Sequence, residues 1–316
     1  MIFRLFFTLL LLVSPCAYAA DLPGIPQFID EMVAKHQFKR DELEQVFHRA
    51  QYRQAVIDAI STPATTKPWP EYRAVFINPK RISGGLQFWQ RYADALQRAE
   101  KQYGVPQEII VALIGVETLY GNNSGKYSVF EALTTLAFAY PRRADFFRSE
   151  LEQYLLLARD QNFELLKVQG SYAGAIGIPQ FMPSSYRKYA VDFSGDGKID
   201  LLQDPVDAIG SVASYLKQYG WLSGEPVTIY ASIGENGRVE NMAESHTVAA
   251  WAASGVQPNK PVAEDKTARL IDFTVAGGKE FWLAFNNFYV ITHYNNSDFY
   301  AMSVYQLAEA LRDAHK

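Results

Sequence analysis

Of 316 residues only one, Cys16, is a cysteine. A disulfide framework within the chain is therefore excluded, as is any thiolate metal cluster. Histidine is also scarce. The five that occur (His36, His48, His246, His293 and His315) are scattered, with no H-E-x-x-H pair. No P-loop and no dinucleotide fingerprint can be found, and no internal repeat or low-complexity stretch. Basic runs are missing too. Thirty Lys and Arg against 34 Asp and Glu leave a net charge of −4, which argues against a nucleic-acid partner.

What is present reads as an ordinary globular chain, 48% hydrophobic and 20% charged. Its length suits one large domain or a few smaller ones. The first twenty residues, "MIFRLFFTLLLLVSPCAYAA", differ from the rest. Arg4, an apolar stretch from Leu5 to Val13 and a small-residue end form the pattern of a secretory signal peptide. Cleavage after Ala19 or Ala20 would remove Cys16 and deliver a thiol-free protein to an oxidising compartment such as the periplasm. The rival reading acylates Cys16 as a lipid anchor, against which Pro15 counts. A retained membrane span is disfavoured because the stretch is shorter than the roughly 20 residues a span needs.

Spacing of apolar residues at three and four predicts helices through most of the chain. They include "FIDEMVAKH", "DELEQVFHRAQ", a long amphipathic helix over 84–104, a helix over 107–120, and "DAIGSVASYLKQYGW". The Pro/Thr-rich 61–72 reads as a connecting loop. After Trp221 the texture becomes β-branched and aromatic. "EPVTIYASI", "RLIDFTVAGG" and "KEFWLAFNNFYVITHY" read as strands, before a closing helix over 302–316. The expected fold is mainly helical α+β. A helical part spans 21–103 and is joined by the closing helix; a core spans 104–221; a small β-rich part spans 222–301.

Three segments point to chemistry. In "VALIGVETLYG" a single carboxylate, Glu117, ends a helix that is apolar nearly all round. Burial disfavours its charged form, and so does the negative end of the helix dipole. Both raise its pKa towards the value a general acid needs near neutral pH. "GSYAGAIGIPQFMPSSY" (170–186) packs small residues around one amide, Gln180, so that backbone groups can approach a ligand closely. "THYNNSDFYAM" (292–302) pairs tyrosines with asparagines, a surface suited to pyranose rings.

A fourth segment, from Asp192, reads as an EF-hand-like calcium loop. Asp192, Ser194 and Asp196 take positions 1, 3 and 5, Gly197 the sharp bend, and the Lys198 carbonyl position 7. Position 12 is Gln203, so the closing acid must come from farther on, at Asp204 or Asp207.

Taken together, "GVET", "YPRRADFF", the 170–201 stretch, "DPVDAIGSVASYL" and "YNNSDFYAM" resemble, in order, the lytic murein transglycosylases of the B type. The resemblance covers about residues 70 to 305. It implies a lysozyme-like core with flanking α and β parts. Glu117 matches the family's catalytic acid/base, and Ser171 and Gln180 match groove-lining residues. Tyr72, Tyr215, Tyr294, Asn295 and Tyr300 match sugar-contacting positions, and Asp207 closes a lengthened calcium loop. The implied substrate is the peptidoglycan glycan strand, cut between N-acetylmuramic acid and N-acetylglucosamine to leave a 1,6-anhydro end. Calcium would be structural, with no cofactor for catalysis. The expected protein is a monomer, with other cell-wall enzymes as candidate partners. Two alternatives stand beside this one: a lysozyme-like hydrolase, and a non-catalytic, calcium-stabilised peptidoglycan-binding protein.

Overall fold

The computed structural model describes residues 19–62, 67–235 and 242–316. The signal-peptide and Cys16 expectations lie outside the described residues. Among those described, no helix is long and apolar enough to cross a membrane.

Helices α1 (Ile25–His36), α2 (Arg40–Arg49) and α3 (Gln54–Ser61) open the chain. Next come α4 (Trp69–Phe76), α5 (Pro79–Arg91), α6 (Ala93–Tyr103) and α7 (Gln107–Thr118). Strand β1 (Tyr127–Ser128) leads into α8 (Val129–Ala139) and α9 (Ala144–Gln161), and pairs with β2 (Gln169–Gly170). Helices α10 (Pro183–Tyr189) and α11 (Pro205–Gln218) complete the middle of the chain. The β-rich part holds β3 (Thr228–Ile233), β4 (His246–Thr247), α12 (Val248–Ala253), β5 (Val256–Pro258), β6 (Thr267–Val275) and β7 (Gly278–Ala284). Helices α13 (Asn286–Thr292) and α14 (Asp298–His315) finish the chain. The five strands form an antiparallel sheet in the order β4-β6-β7-β3-β5.

A single large core runs through the helices. Phe28 of α1, Leu96 of α6, Ile110 of α7, Leu216 of α11 and Leu307 of α14 all belong to it. Hydrophobic packing is thus continuous across residue 103. A second, small core of Ile229, Trp251, Val256, Leu270 and Leu283 lies on the sheet. Helix α7 sits centrally, with α5, α6, α11 and α14 packed around it. Nine of its twelve residues are buried, as an all-round apolar helix requires.

Four local expectations are corrected. The helix expected over 84–104 is two: α5 ends at Arg91, and Tyr92 (φ −115°, ψ 26°) breaks the path before α6. The two pieces serve different neighbours, α5 lying on α7 and α14 and α6 on α7 and α11. Residues 69–72 are helical, not loop. Pro70 falls in the first turn of α4, where proline's missing N–H costs nothing. "NNFYVIT" is helix α13, not strand. Its buried Asn287 ties the helix to the chain before β3, accepting from Leu222 N (2.9 Å) and donating to the carbonyls of Leu222 (2.8 Å) and Glu225 (3.0 Å). The last helix also starts earlier than 302, at Asp298, because Ser297 caps it through Tyr300 N.

Candidate active site

Glu117 occupies the last turn of α7 and opens onto a groove of about 790 Å³. The chain leaves the helix through three successive left-handed residues, Leu119 (φ 52°), Tyr120 (φ 63°) and Gly121 (φ 84°). The helix expected over 107–120 thus ends two residues early, at positions that disfavour side chains. Thr118 holds it. Its hydroxyl accepts from Gly121 N (2.9 Å) and donates to Ile178 O (2.8 Å), which also pins the turn to the Gly-rich segment. The Tyr120 ring enters a slot between α5 and α7. Only glycine fits opposite it, since a Cβ on Gly115 would lie 2.6 Å from the Tyr120 hydroxyl.

Apolar surroundings push the Glu117 carboxyl up to about 7; the Tyr300 hydroxyl and the Arg81 charge act the other way. The Tyr300 hydroxyl donates to Glu117 Oε1. Tyr300 is itself buried in α14, so it holds the carboxyl from behind and does not line the groove. Burial raises its own pKa well above the ordinary phenol value, which keeps the proton on oxygen and the donor in place. Tyr72 also lies off the groove wall, half-buried in α4 between Trp69, Phe76 and Phe299. The negative charge of Glu117 still reaches its phenol.

The other expected residues come together as groove lining: Ser171, Gln180, Tyr215, Tyr294 and Asn295. Gln180 adopts φ 52° and donates to Gly177 O (2.8 Å) and Ser124 O (3.0 Å), so its amide nitrogen is fixed and its oxygen is left for a ligand. Gly177 is required because a Cβ there would strike Leu201 O at 2.2 Å. The Ser171 hydroxyl accepts from Ala175 N (3.0 Å) and Ala173 N (3.2 Å), closing the small-residue turn. Tyr294 and Tyr215 pack at 4.8 Å. Their hydroxyls donate to Pro179 O (2.6 Å) and His293 O (2.7 Å), which leaves ring edges and faces towards the groove.

The groove has walls that were not expected from sequence. Arg143, Phe146 and Tyr172 stand at its rim, with Arg143 4.1 Å over the Phe146 ring. Tyr219 stacks on His293 at 4.5 Å. "YPRR" carries the resemblance but gives no periodic signal that would have pointed Arg143 into a groove. A second carboxyl, Glu150, also lies on the wall. Both its oxygens are taken by Ser184, from the hydroxyl (2.6 Å) and from N (3.0 Å), at the start of α10. Glu117 is therefore the groove's carboxyl that is not committed to backbone.

Asp192, Ser194, Asp196 and the Lys198 carbonyl lie on one tight turn bent at Gly195 (φ 82°) and Gly197 (φ 87°). Asp192 accepts from Gly195 N (2.6 Å) and Gly197 N (2.8 Å), which hold its carboxyl below the usual range. Of the two downstream acids, Asp204 caps α11 through Val206 N (2.7 Å). Asp207, the expected closing acid, faces the loop. Its two oxygens accept from Phe193 N (2.8 Å), Ser194 N (2.9 Å) and Asp200 N (2.8 Å). Among the described residues, no group of three or more His, Cys, Asp or Glu is placed to hold a metal. The four oxygens from 192–198 are hard donors that fit a calcium ion, with Asp207 bracing the turn through its backbone.

The chain matches the family model described as transglycosylase SLT domain over residues 22–309. Membrane-bound lytic murein transglycosylase B of Escherichia coli (strain K12) is 45% identical over 302 residues, 92% of this chain and 83% of that protein. The Escherichia coli lytic transglycosylase Slt35 in complex with bulgecin A superposes with a TM-score of 0.88 at 45% identity, covering 95% of this chain and 96% of that one. The same enzyme in complex with calcium gives the same figures: TM-score 0.88, 45% identity, 95% and 96%. SltB3 from Pseudomonas aeruginosa, solved with NAG-NAM-pentapeptide, gives a TM-score of 0.82 at 30% identity over 92% of this chain and 79% of that one.

Proposed function

Given that this chain belongs to the lytic murein transglycosylases and shares their lysozyme-like fold, we propose that Glu117 carries out both halves of the family reaction on the peptidoglycan strand. An ordinary glycosidase uses two carboxyl groups. A non-hydrolytic cleavage needs one, provided that it can act as acid and then as base. Protonated Glu117 gives its hydrogen to the oxygen linking N-acetylmuramic acid to N-acetylglucosamine. The C1–O bond breaks, and its electron pair stays on the departing sugar. The neighbouring acetamide shields the positive C1. Glu117, now a carboxylate, takes the proton of the muramic acid 6-hydroxyl as that oxygen closes on C1. The 1,6-anhydro ring forms without water, and Glu117 is again protonated. A carboxyl pushed up to about 7 can serve in both forms near neutral pH.

The single observation that carries this reading is one partly buried carboxyl, held by Tyr300, facing a groove whose other acid is committed to Ser184. Around it, Gln180, Ser171 and Asn295 supply amide and hydroxyl groups for sugar hydroxyls and acetamides. Tyr215 and Tyr294 supply ring surface for the CH faces of pyranoses. Solved relatives bound to bulgecin A and to NAG-NAM-pentapeptide support a glycan in this groove. The membrane-bound relative and the sequence of residues 1–20 support export to the cell envelope. Mass spectrometry of digested sacculi tests the reaction: 1,6-anhydro ends are expected, and reducing ends would assign the chain to the hydrolases.

The loop from Asp192 is proposed to take a structural calcium ion through Asp192, Ser194, Asp196 and the Lys198 carbonyl, with Asp207 as the closing acid and with support from a relative solved in complex with calcium. When bound, the ion would stiffen the turn ahead of α11, the helix that carries Tyr215. Added Ca²⁺ is expected to raise the melting temperature of EDTA-treated protein, by about 2.7 kcal/mol of stabilisation at a hundredfold excess over Kd. An unchanged melting temperature would remove calcium from the account and leave the chemistry at Glu117 as it stands.

A further inference from the structure

Everything packed around Glu117 favours its neutral form except two groups, Tyr300 and Arg81. The groups whose charge couples to it come from five elements: Tyr72 of α4, Arg81 of α5, Tyr215 of α11, Tyr294 of the α13–α14 connection and Tyr300 of α14. Four are neutral phenols. Arg81 is the one cation among them. The groove's own guanidinium, Arg143, acts on Glu150 instead.

Arg81 is an unusual residue in an unusual place. It sits in the first turn of α5, where a cation is opposed by the helix dipole. The Asn78 cap accepts from its backbone N (3.0 Å), and its carbonyl accepts from the Tyr120 hydroxyl (2.8 Å), so the main chain is fixed at both ends. Its guanidinium then crosses to α7. Nη1 donates to Gly115 O, and also reaches Val116 O at 3.4 Å. These are carbonyls at the negative end of the helix, one and two residues before Glu117. The guanidinium lies 5.2 Å over the Phe76 ring and is partly buried there. Such burial of a charge is unfavourable unless the charge is needed.

We propose that Arg81 is a positioning residue for the first half of the reaction: placed on the Gly115 and Val116 carbonyls, it cancels the negative end of α7 and stabilises the carboxylate that Glu117 becomes as it gives up its proton. The inference rests on the acid-then-base role of Glu117 given above. Burial and helix dipole alone would lock that side chain in its neutral form and make it a poor acid. Arg81 supplies a fixed counter-charge that does not touch the sugar.

Three variants of the full chain test this: Arg81→Gln and Arg81→Met, which remove the charge, and Arg81→Lys, which keeps it. The rate of anhydro-product formation is followed against pH. The carboxyl stretch of Glu117 is followed by infrared difference against Glu117→Gln. In a neutral variant the alkaline limb of the rate profile and the infrared midpoint should both move to higher pH by about one unit. The plateau rate should fall about tenfold, the loss that one unit of acid strength implies. Arg81→Lys should leave the limb within a few tenths of a unit of the parent. A folded neutral variant with an unmoved midpoint overturns the proposal. If neither neutral variant folds, a full-unit shift in Arg81→Lys overturns it, because the charge would then not be what matters. Loss of activity in Glu117→Gln with no shift in the Arg81 variants would leave the catalytic role intact and refute only this step. Full activity in Glu117→Gln would refute the catalytic role itself.

Discussion

Glu117→Gln is expected to lose about 10²–10⁴-fold in anhydro-product formation, the range that a general acid–base contributes. The fold should gain stability. Glu117 has a folded-state pKa raised from about 4.5 to about 7 by burial. A carboxyl raised in this way binds its proton more tightly in the folded chain than in the unfolded one. Its contribution is therefore most favourable below the unfolded value. Stability is lost as pH climbs from about 4.5 to about 7, and the loss is complete above that. Two and a half pH units correspond to roughly 3 kcal/mol. Gln removes the ionisation and can still accept from Tyr300. The variant should therefore melt higher than the parent at pH 8 and alike at pH 4. Affinity for glycan strands should survive, because Gln180, Tyr294 and Asn295 are untouched. A variant that binds, melts higher and turns nothing over also disposes of the purely binding protein. Retained turnover would assign the acid to another group.

Gly115→Ala should destabilise the protein by about 2 kcal/mol, the reverse of what this exchange does in most helices. Replacing a helix-interior glycine with alanine ordinarily stabilises by about 0.5–1 kcal/mol. Here the new methyl would sit 2.6 Å from the Tyr120 hydroxyl and 2.7 Å from two ring carbons. The ring cannot retreat. Gly85 faces it from the other side, where any Cβ would be 2.5 Å from the same hydroxyl and 2.4 Å from Leu311. Overpacking of this kind costs about 1–3 kcal/mol. The damage should also reach the chemistry. Tyr120 is the second residue of the left-handed turn after Thr118, and its hydroxyl holds the Arg81 carbonyl. A shift of about 1 Å at the carboxyl would cost about 10²-fold in rate. Thermal melts and initial rates check both effects. Tyr120→Phe added to Gly115→Ala should recover part of the stability, since the nearest clashing atom is then gone. If Gly115→Ala alone melts as high as the parent, the slot is not as tight as described.

Much of the site was legible in the residues. A helix apolar on every side has to be central, so a carboxyl in its last turn has to be unusual; Glu117 followed from that. The small residues of 170–186 announced close backbone approaches, and Gly177 against Leu201 is one of them. The tyrosine–asparagine stretch became groove wall at Tyr294 and Asn295. The illegible parts depend on distance in space. The resemblance matched Tyr300 to a sugar-contacting position, but the start of α14 at Asp298 turns it inwards onto the carboxyl. Arg81 lies 36 residues before Glu117, and no local pattern announces that α5 lays its first turn across the end of α7. Helices α4 and α13 were hidden by composition. Prolines mark the first turn of α4 as readily as a loop, and a run of five aromatic and β-branched residues serves a short buried helix as well as a strand.

The proton shuttle is tested most directly by titrating one side chain. Infrared difference between the parent and Glu117→Gln isolates the Glu117 carboxyl, and its protonated stretch can be followed from pH 3 to pH 9. A midpoint near 7, coincident with the alkaline limb of anhydro-product formation, is the expected result. A midpoint near 4.5, with the rate insensitive to it, would mean that the side chain is an ordinary solvated carboxylate and cannot be the acid.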